Sequence, residues 1–162
     1  MIDAQLAAFI TGGVSIVAAS RGPQNAPVIA RAAGCRASAD LARVTLLLAR
    51  SQAGALLAAA EATGAISVVF SQPSSHRSYQ LKGADARVEP PAPGDEALLA
   101  RYADAFAADL CPLGYAEQMV RALVWAPAGD FAALTFTPST AFDQTPGPRA
   151  GSALFWGSSS LA

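Results

Sequence analysis

At 162 residues and 16.4 kDa the chain has the length of one ordinary domain, and a composition that is 52% hydrophobic and 14% charged excludes a disordered chain. With 11 basic side chains against 12 acidic ones and a pI near 5.7, no broad positive field exists to hold a nucleic-acid backbone or an anionic membrane. The two cysteines, Cys35 and Cys111, stand far apart and form no CxxC, which excludes a disulfide framework or a zinc knuckle and makes a reducing cytoplasm the simplest home.

In chain order, residues 3–10 (DAQLAAFI) suit a short helix stopped by Gly12 and Gly13. The uncharged stretch 4–20 is not a secretion signal: no basic residue precedes Arg21, and the two glycines interrupt it. No apolar run reaches the roughly 18 residues of a membrane span. Residues 14–20 and 28–38 read as strand, turn, strand around RGPQNAP. The run RVTLLLA at 43–49 is a strand covered on both faces, SQAGALLAAAEATG is an alanine-rich helix closed by Gly64, and AISVVFS at 65–71 is another buried strand.

Beyond QPSS the segment HRSYQLKGADARVE alternates but changes phase. Ser78, Gln80 and Lys82 share one face opposite Tyr79 and Leu81; after Gly83 the apolar side swaps, which predicts a bulge or corner at that glycine. PPAPG is a stiff connector, and residues 95–110 form an amphipathic helix through Leu98, Leu99, Tyr102, Phe106 and Leu110. Residues 117–125 read equally as helix or strand, DFAALTFTP at 130–138 is a last core strand, and the tail shows no clear regular structure. About six strands with two or three peripheral helices imply one small, mostly antiparallel barrel spanning 1–162. So few charges on so apolar a domain also suggest that part of the surface is hidden against a partner copy.

The chain lacks the parts of several chemistries. Its sole histidine, His76, offers one base, no GxSxG surrounds a serine, and neither a P-loop nor GxGxxG occurs. One histidine and two distant cysteines do not make a metal site, so no metal is expected. Catalysis, if present, therefore falls to a bound organic cofactor. ARSQ at 49–52 runs a strand into a helix start, where free N–H groups, the Ser51 hydroxyl and the Arg50 guanidinium make a candidate phosphate seat; the same residues also describe an ordinary helix start with a solvated arginine. Gln80 and Lys82 are candidates to donate to a flavin ring edge, with His76 and Arg77 at the strand mouth; an exposed polar strand face is the alternative. FDQTPGPRAG at 142–151 is a rigid loop carrying Gln144 and Arg149, and Trp125 and Trp156 are more readily packing residues than stacking platforms.

HRSYQLKG after a VVFSQP strand, together with FTPSTAFDQTPGPRAG near the end, resembles the pyridoxamine 5'-phosphate oxidase-like group of FMN-binding split-barrel proteins. The resemblance implies a mainly β fold with peripheral helices, a six-stranded antiparallel Greek-key split barrel, and a homodimer with FMN in the groove between subunits. It also implies that Arg50, Ser51 and Gln52 hold the FMN phosphate, that Ser78 and Gln80 approach the flavin, and that Arg31 is a further contact. Gln52 and Ala53 stand where the family commonly has consecutive basic residues, so weaker FMN binding is expected. The terminal tryptophan-and-arginine signature that seats vitamin B6 substrates is absent, so vitamin B6 oxidation is not expected. The expected function is a cytoplasmic FMN-dependent oxidoreductase acting on a small organic substrate. The alternatives are a non-catalytic flavin or tetrapyrrole carrier or sensor, and a barrel that has lost its cofactor.

Overall fold

The computed structural model describes residues 2–156. In chain order its elements are α1 (Ala4–Ile10), β1 (Ser15–Arg21), β2 (Pro27–Arg31), β3 (Gly34–Ala37), β4 (Val44–Ala49), α2 (Arg50–Thr63), β5 (Ile66–Ser71), β6 (Ser78–Gly83) and β7 (Arg87–Glu89). There follow α3 (Asp95–Leu110), a 3-10 turn (Cys111–Leu113), α4 (Glu117–Leu123), β8 (Phe131–Phe136), β9 (Thr140–Asp143) and β10 (Ser152–Trp156). The strands make two sheets of the orders β10-β9-β6-β5-β1-β2 and β3-β4-β8-β7, and every strand pairing is antiparallel.

The expectation of about six strands undercounts because the chain turns corners between the sheets. Residues 28–38 are not one strand but two. Ala32 N–H donates to Ile16 of the first sheet (3.0 Å) while the next residue, Ala33, donates to Leu47 of the second (2.8 Å), so pairing changes partner between adjacent alanines. The corner expected at Gly83 is present: β6 ends there, and β7 pairs with β8 in the other sheet. A Cβ on Gly83 would lie 2.7 Å from the Phe136 ring and 2.9 Å from the Thr137 carbonyl oxygen, which is why no larger residue fits this bend.

One reading left open is settled and one expectation is corrected. Residues 117–123 are helical, with Val120 buried and the Arg121 guanidinium bound to both Glu117 and Asp104 at 2.8 Å. The tail carries β9 and β10, paired with each other and, through β9, with β6. Short strands such as TAFD bury only alternate residues, and a sequence of that length carries too little periodicity to announce itself. Trp125 is 62% exposed rather than packed, and the side chain of Trp156 lies outside the described residues.

The core lies between the sheets. Strands β1 and β5 alternate, burying Ile16, Ala18, Val68 and Phe70, whereas β4 and β8 are buried on both faces. Each such large side chain contributes about 1.5–3 kcal/mol on leaving water. Helix α2 closes one side of the core with Ala53, Leu56, Leu57 and Ala60, and the first half of α3 covers the far face of β4 and β8 through Leu98 and Leu99. Cys35 is buried in this core, and burial pushes its thiol well above the ordinary range, so it behaves as a small apolar residue.

At the start of α3 the buried Asp95 carboxylate accepts from Arg36 Nε (2.8 Å) and from the Ala92 N–H (2.7 Å), tying the PPAPG connector to β3. Arg36 is 32% exposed, so the pair is screened more than a fully buried one. Asp95→Ala should therefore cost about 2 kcal/mol, below the ~3–5 kcal/mol of fully buried pairs, read as a lower urea midpoint at unchanged slope.

Candidate functional site

Position along β6 decides which side chains meet. Tyr79 and Leu81 point inward: Tyr79 packs edge-on to Phe9 of α1 at 4.9 Å, and Leu81 is fully buried. Ser78, Gln80 and Lys82 therefore face out, away from α1. Strand register extends this outer face across the six-stranded sheet. One row reads Arg31, Val17, Val69, Gln80, Phe142, and the next reads Ile29, Ala19, Ser67, Lys82, Thr140. Helix α2 packs on the opposite side, against the buried residues of β1, which leaves this face open in a single chain; Ile29 is 71% exposed.

A chain of hydrogen bonds runs over the face. Gln144 Nε2 donates to Gln80 Oε1 (3.1 Å), and Gln80 Nε2 donates to Ser67 Oγ (2.9 Å). The Gln80 amide is thereby held in one orientation, and each of the two amide nitrogens keeps a second hydrogen to offer. Ser78 Oγ bonds Ser71 Oγ (2.7 Å), Arg31 donates to Ser15 Oγ (2.8 Å), and the Lys82 ammonium sits 5.0 Å from the Phe142 ring centroid. A cleft of about 480 Å³ opens at one end of this face, lined by Ser67, Gln80 and Lys82 together with Arg21, within the range of small-molecule sites. A cavity of about 560 Å³ between α1, β3 and α3 contains none of the sequence-nominated residues; its walls are mostly Ala and Leu, and its Arg36 is engaged by Asp95.

The structure thus gathers Arg31, Ser78, Gln80, Lys82 and Gln144 on one surface. It separates the others by role. Arg77 lies over the Phe9 and Tyr79 rings (5.2 and 5.7 Å) and donates to the Tyr79 hydroxyl (2.9 Å), so its contacts go to α1 and the inner side of β6. His76 holds the β5–β6 turn at φ 59°, with its side chain exposed. That turn is pinned to α3 by Asp109, which accepts from Gln72 and Ser74. Arg149 is exposed in the loop between β9 and β10.

Arg50, Ser51 and Gln52 are exposed at the first turn of α2, where the strand-to-helix junction was expected. Asp130 meets them there. Its carboxylate accepts from the Ser51 hydroxyl (2.5 Å) and the Ser51 N–H (3.4 Å), while Arg50 Nε donates to the Phe131 carbonyl (3.2 Å).

Sequence reasoning passed over Ser15, Ser67, Ser71, Arg21 and Asp130. Ser15, Ser67 and Ser71 carried a signal, sitting at the parity opposite the buried residues of β1 and β5, although Ser20 lies on the buried parity, where its hydroxyl donates to the Ala65 carbonyl. Asp130 carried none, being 79 residues from Ser51.

The β9–β10 loop is held by Asp143, whose side chain is buried and accepts from the Thr145 N–H (2.9 Å). The Thr145 hydroxyl and N–H hold this carboxyl below the usual range, against its burial, with Arg149 and Arg77 helping. A depressed folded-state pKa stabilises the fold above the ordinary aspartate value of about 3.9 and is lost as pH falls through the folded value. Asp143→Asn should accordingly flatten the fall in Tm below about pH 4 seen by calorimetry, and an unchanged slope would count against this assignment.

No protein-family model and no curated protein matches the sequence. Solved structures do match. HupZ from Group A Streptococcus is 16% identical with a TM-score of 0.55, the match covering 93% of this chain and 100% of that one. An F420 reductase is 13% identical with a TM-score of 0.54, over 83% and 93% of the two chains. HutZ, the heme storage protein from Vibrio cholerae, is 11% identical with a TM-score of 0.50, over 86% and 92%. At these identities the likeness is one of fold: the chain has a mainly β, antiparallel split-barrel fold with peripheral helices, shared with these solved structures. Among the described residues no helix is long and apolar enough to cross a membrane.

Proposed function

We propose that this protein binds FMN on the outer face of its six-stranded sheet, as a homodimer in which a second copy covers that face, and that it serves as a flavin-dependent oxidoreductase for a small organic substrate. The observation that carries the reading is the oriented chain Gln144, Gln80, Ser67 beside Lys82, at a cleft on an otherwise half-apolar open face. These groups suit a flavin ring edge: amide N–H donors and one ammonium can meet its carbonyl oxygens and the negative charge that gathers there on reduction. Val17, Ala19 and Val69 offer a flat apolar bed for the ring or for the partner copy. With residues of both copies meeting in the groove, Arg50, Ser51 and Gln52 at the start of α2 are assigned to the phosphate of the flavin lying on the partner copy's face, and Arg31 to the rim of its own face.

FMN would supply hydride and electron transfer; the chain's own task is to bind, orient and exclude water. The face offers amides, hydroxyls, one lysine and the Arg31 guanidinium, with no carboxylate or imidazole among the residues of the two central rows. That feature favours a second reading as well, a flavin or tetrapyrrole carrier in a reducing compartment, since carriage needs no acid–base pair. Absorption spectra of the fresh protein separate them. A yellow dimer that bleaches with a nicotinamide donor and recovers in air supports catalysis, whereas a protein inert to every donor, or one that takes up heme in preference to FMN, supports carriage. The Gln80→Ala, Lys82→Ala double variant should weaken FMN at least tenfold by fluorescence titration, since each loses a bond to the ligand of about 1 kcal/mol or more; unchanged affinity would remove the ring assignment.

A further inference from the structure

The first turn of α2 already holds an anion of its own. The residue before the helix, Ala49, has no side-chain oxygen with which to cap it, and the helix has no acidic residue in its first turn. Asp130 supplies what the local sequence lacks. The turn that delivers it is short and defined: Gly129 adopts φ 76°, and the Asp130 N–H returns to the Pro127 carbonyl at 3.0 Å. The backbone of Asp130 is fixed as well, its carbonyl accepting from the Arg50 N–H at 3.1 Å.

Both donors that Ser51 presents, its hydroxyl and its N–H, converge on the single oxygen Asp130 Oδ2. A phosphate seated there needs those same donors and would approach the Asp130 carboxylate at hydrogen-bonding range, where like charges repel even at an exposed helix start. Arg50 balances this charge without exceeding it: its guanidinium brings one positive charge, with Nε donating to the Phe131 carbonyl, so Arg50 and Asp130 together leave the seat with no net positive charge.

Resting on the flavin reading above, we infer that Asp130 sets ligand specificity at this site: it is a built-in competitor for the phosphate seat. The protein therefore takes a phosphate-free flavin nearly as well as FMN, because the ring contributes binding while the phosphate gains little. Replacing the carboxylate by a neutral amide removes the repulsion, and a charged phosphate oxygen then outcompetes the amide oxygen for the Ser51 donors, without disturbing the ring contacts.

The test is fluorescence titration of the full chain with FMN and with riboflavin, for the wild type and for Asp130→Asn. In the wild type the two dissociation constants are expected within threefold of each other. In Asp130→Asn, FMN should tighten at least tenfold while riboflavin changes less than twofold. A wild type that prefers FMN by a hundredfold overturns the inference without any variant, so a misfolded Asp130→Asn does not shelter it. Equal tightening of both flavins, or no tightening of FMN, overturns it too and leaves the flavin reading standing. Failure of both flavins to bind either protein overturns the flavin reading, and this inference with it.

Discussion

Val69→Arg should yield a folded monomer that no longer binds flavin. Val69 lies in the middle strand pair of the six-stranded sheet, between Val17 and Gln80, on the face that no helix among the described residues covers. It is half-buried and packs into no core of its own protomer, so an arginine there should change monomer stability by less than about 1 kcal/mol. In a dimer built on this face the same change places an unpaired charge on both copies inside the buried patch, at a cost of several kcal/mol, more than a hundredfold in the dimer dissociation constant. Light scattering after size exclusion reads the mass, and flavin titration reads the site. A variant that remains a flavin-binding dimer would move the interface elsewhere. The exposed Tyr115, Met119, Leu123 and Trp125 around α4 are the next apolar surface to examine.

The second large effect concerns packing rather than function. Gly13→Ala should destabilise the fold by about 3 kcal/mol, a large part of the roughly 5–15 kcal/mol that keeps such a domain folded. The reason is a close approach of two backbones: a Cβ on Gly13 would lie 2.2 Å from the Ala105 carbonyl oxygen and 2.5 Å from its carbon. Neither atom belongs to a flexible side chain, so relief requires moving α3 away from β1, and with it the buried Tyr102 hydroxyl that donates to the Val14 carbonyl at 2.6 Å. Gly54→Ala is the contrasting control. Gly54 is exposed within α2 with nothing within 4 Å of its would-be Cβ, and alanine there should stabilise by about 0.5–1 kcal/mol. Urea unfolding of the two variants side by side checks both signs; a Gly13→Ala variant as stable as the wild type would overturn the close-approach argument.

Local pattern carried much of this architecture. The alternation of β1 and β5, the unbroken apolar runs of β4 and β8, the alanine-rich α2 and the amphipathic α3 each report burial within one element, so spacing alone reveals them. The phase change at Gly83 even exposed a corner, because the outer face must swap when a strand leaves one sheet for another. The corner at Ala32–Ala33 left no such mark, since alanine suits either face and the next residue, Gly34, has no side chain to report one.

By itself the sequence determined which side chains of β6 would share a surface, since alternation along an extended chain is fixed by backbone geometry. It also determined that Arg50 and Ser51 would open a helix directly after a buried strand. Only the tertiary structure decided what those residues meet. Gln144 and Ser67 come to Gln80 through strand pairing across the sheet, Arg77 turns to α1, and Asp130 returns from the far end of the chain to sit on Ser51. Such contacts join positions dozens of residues apart, and a one-dimensional pattern holds no term for them; the register of the sheets and the path of the 126–130 turn supply it.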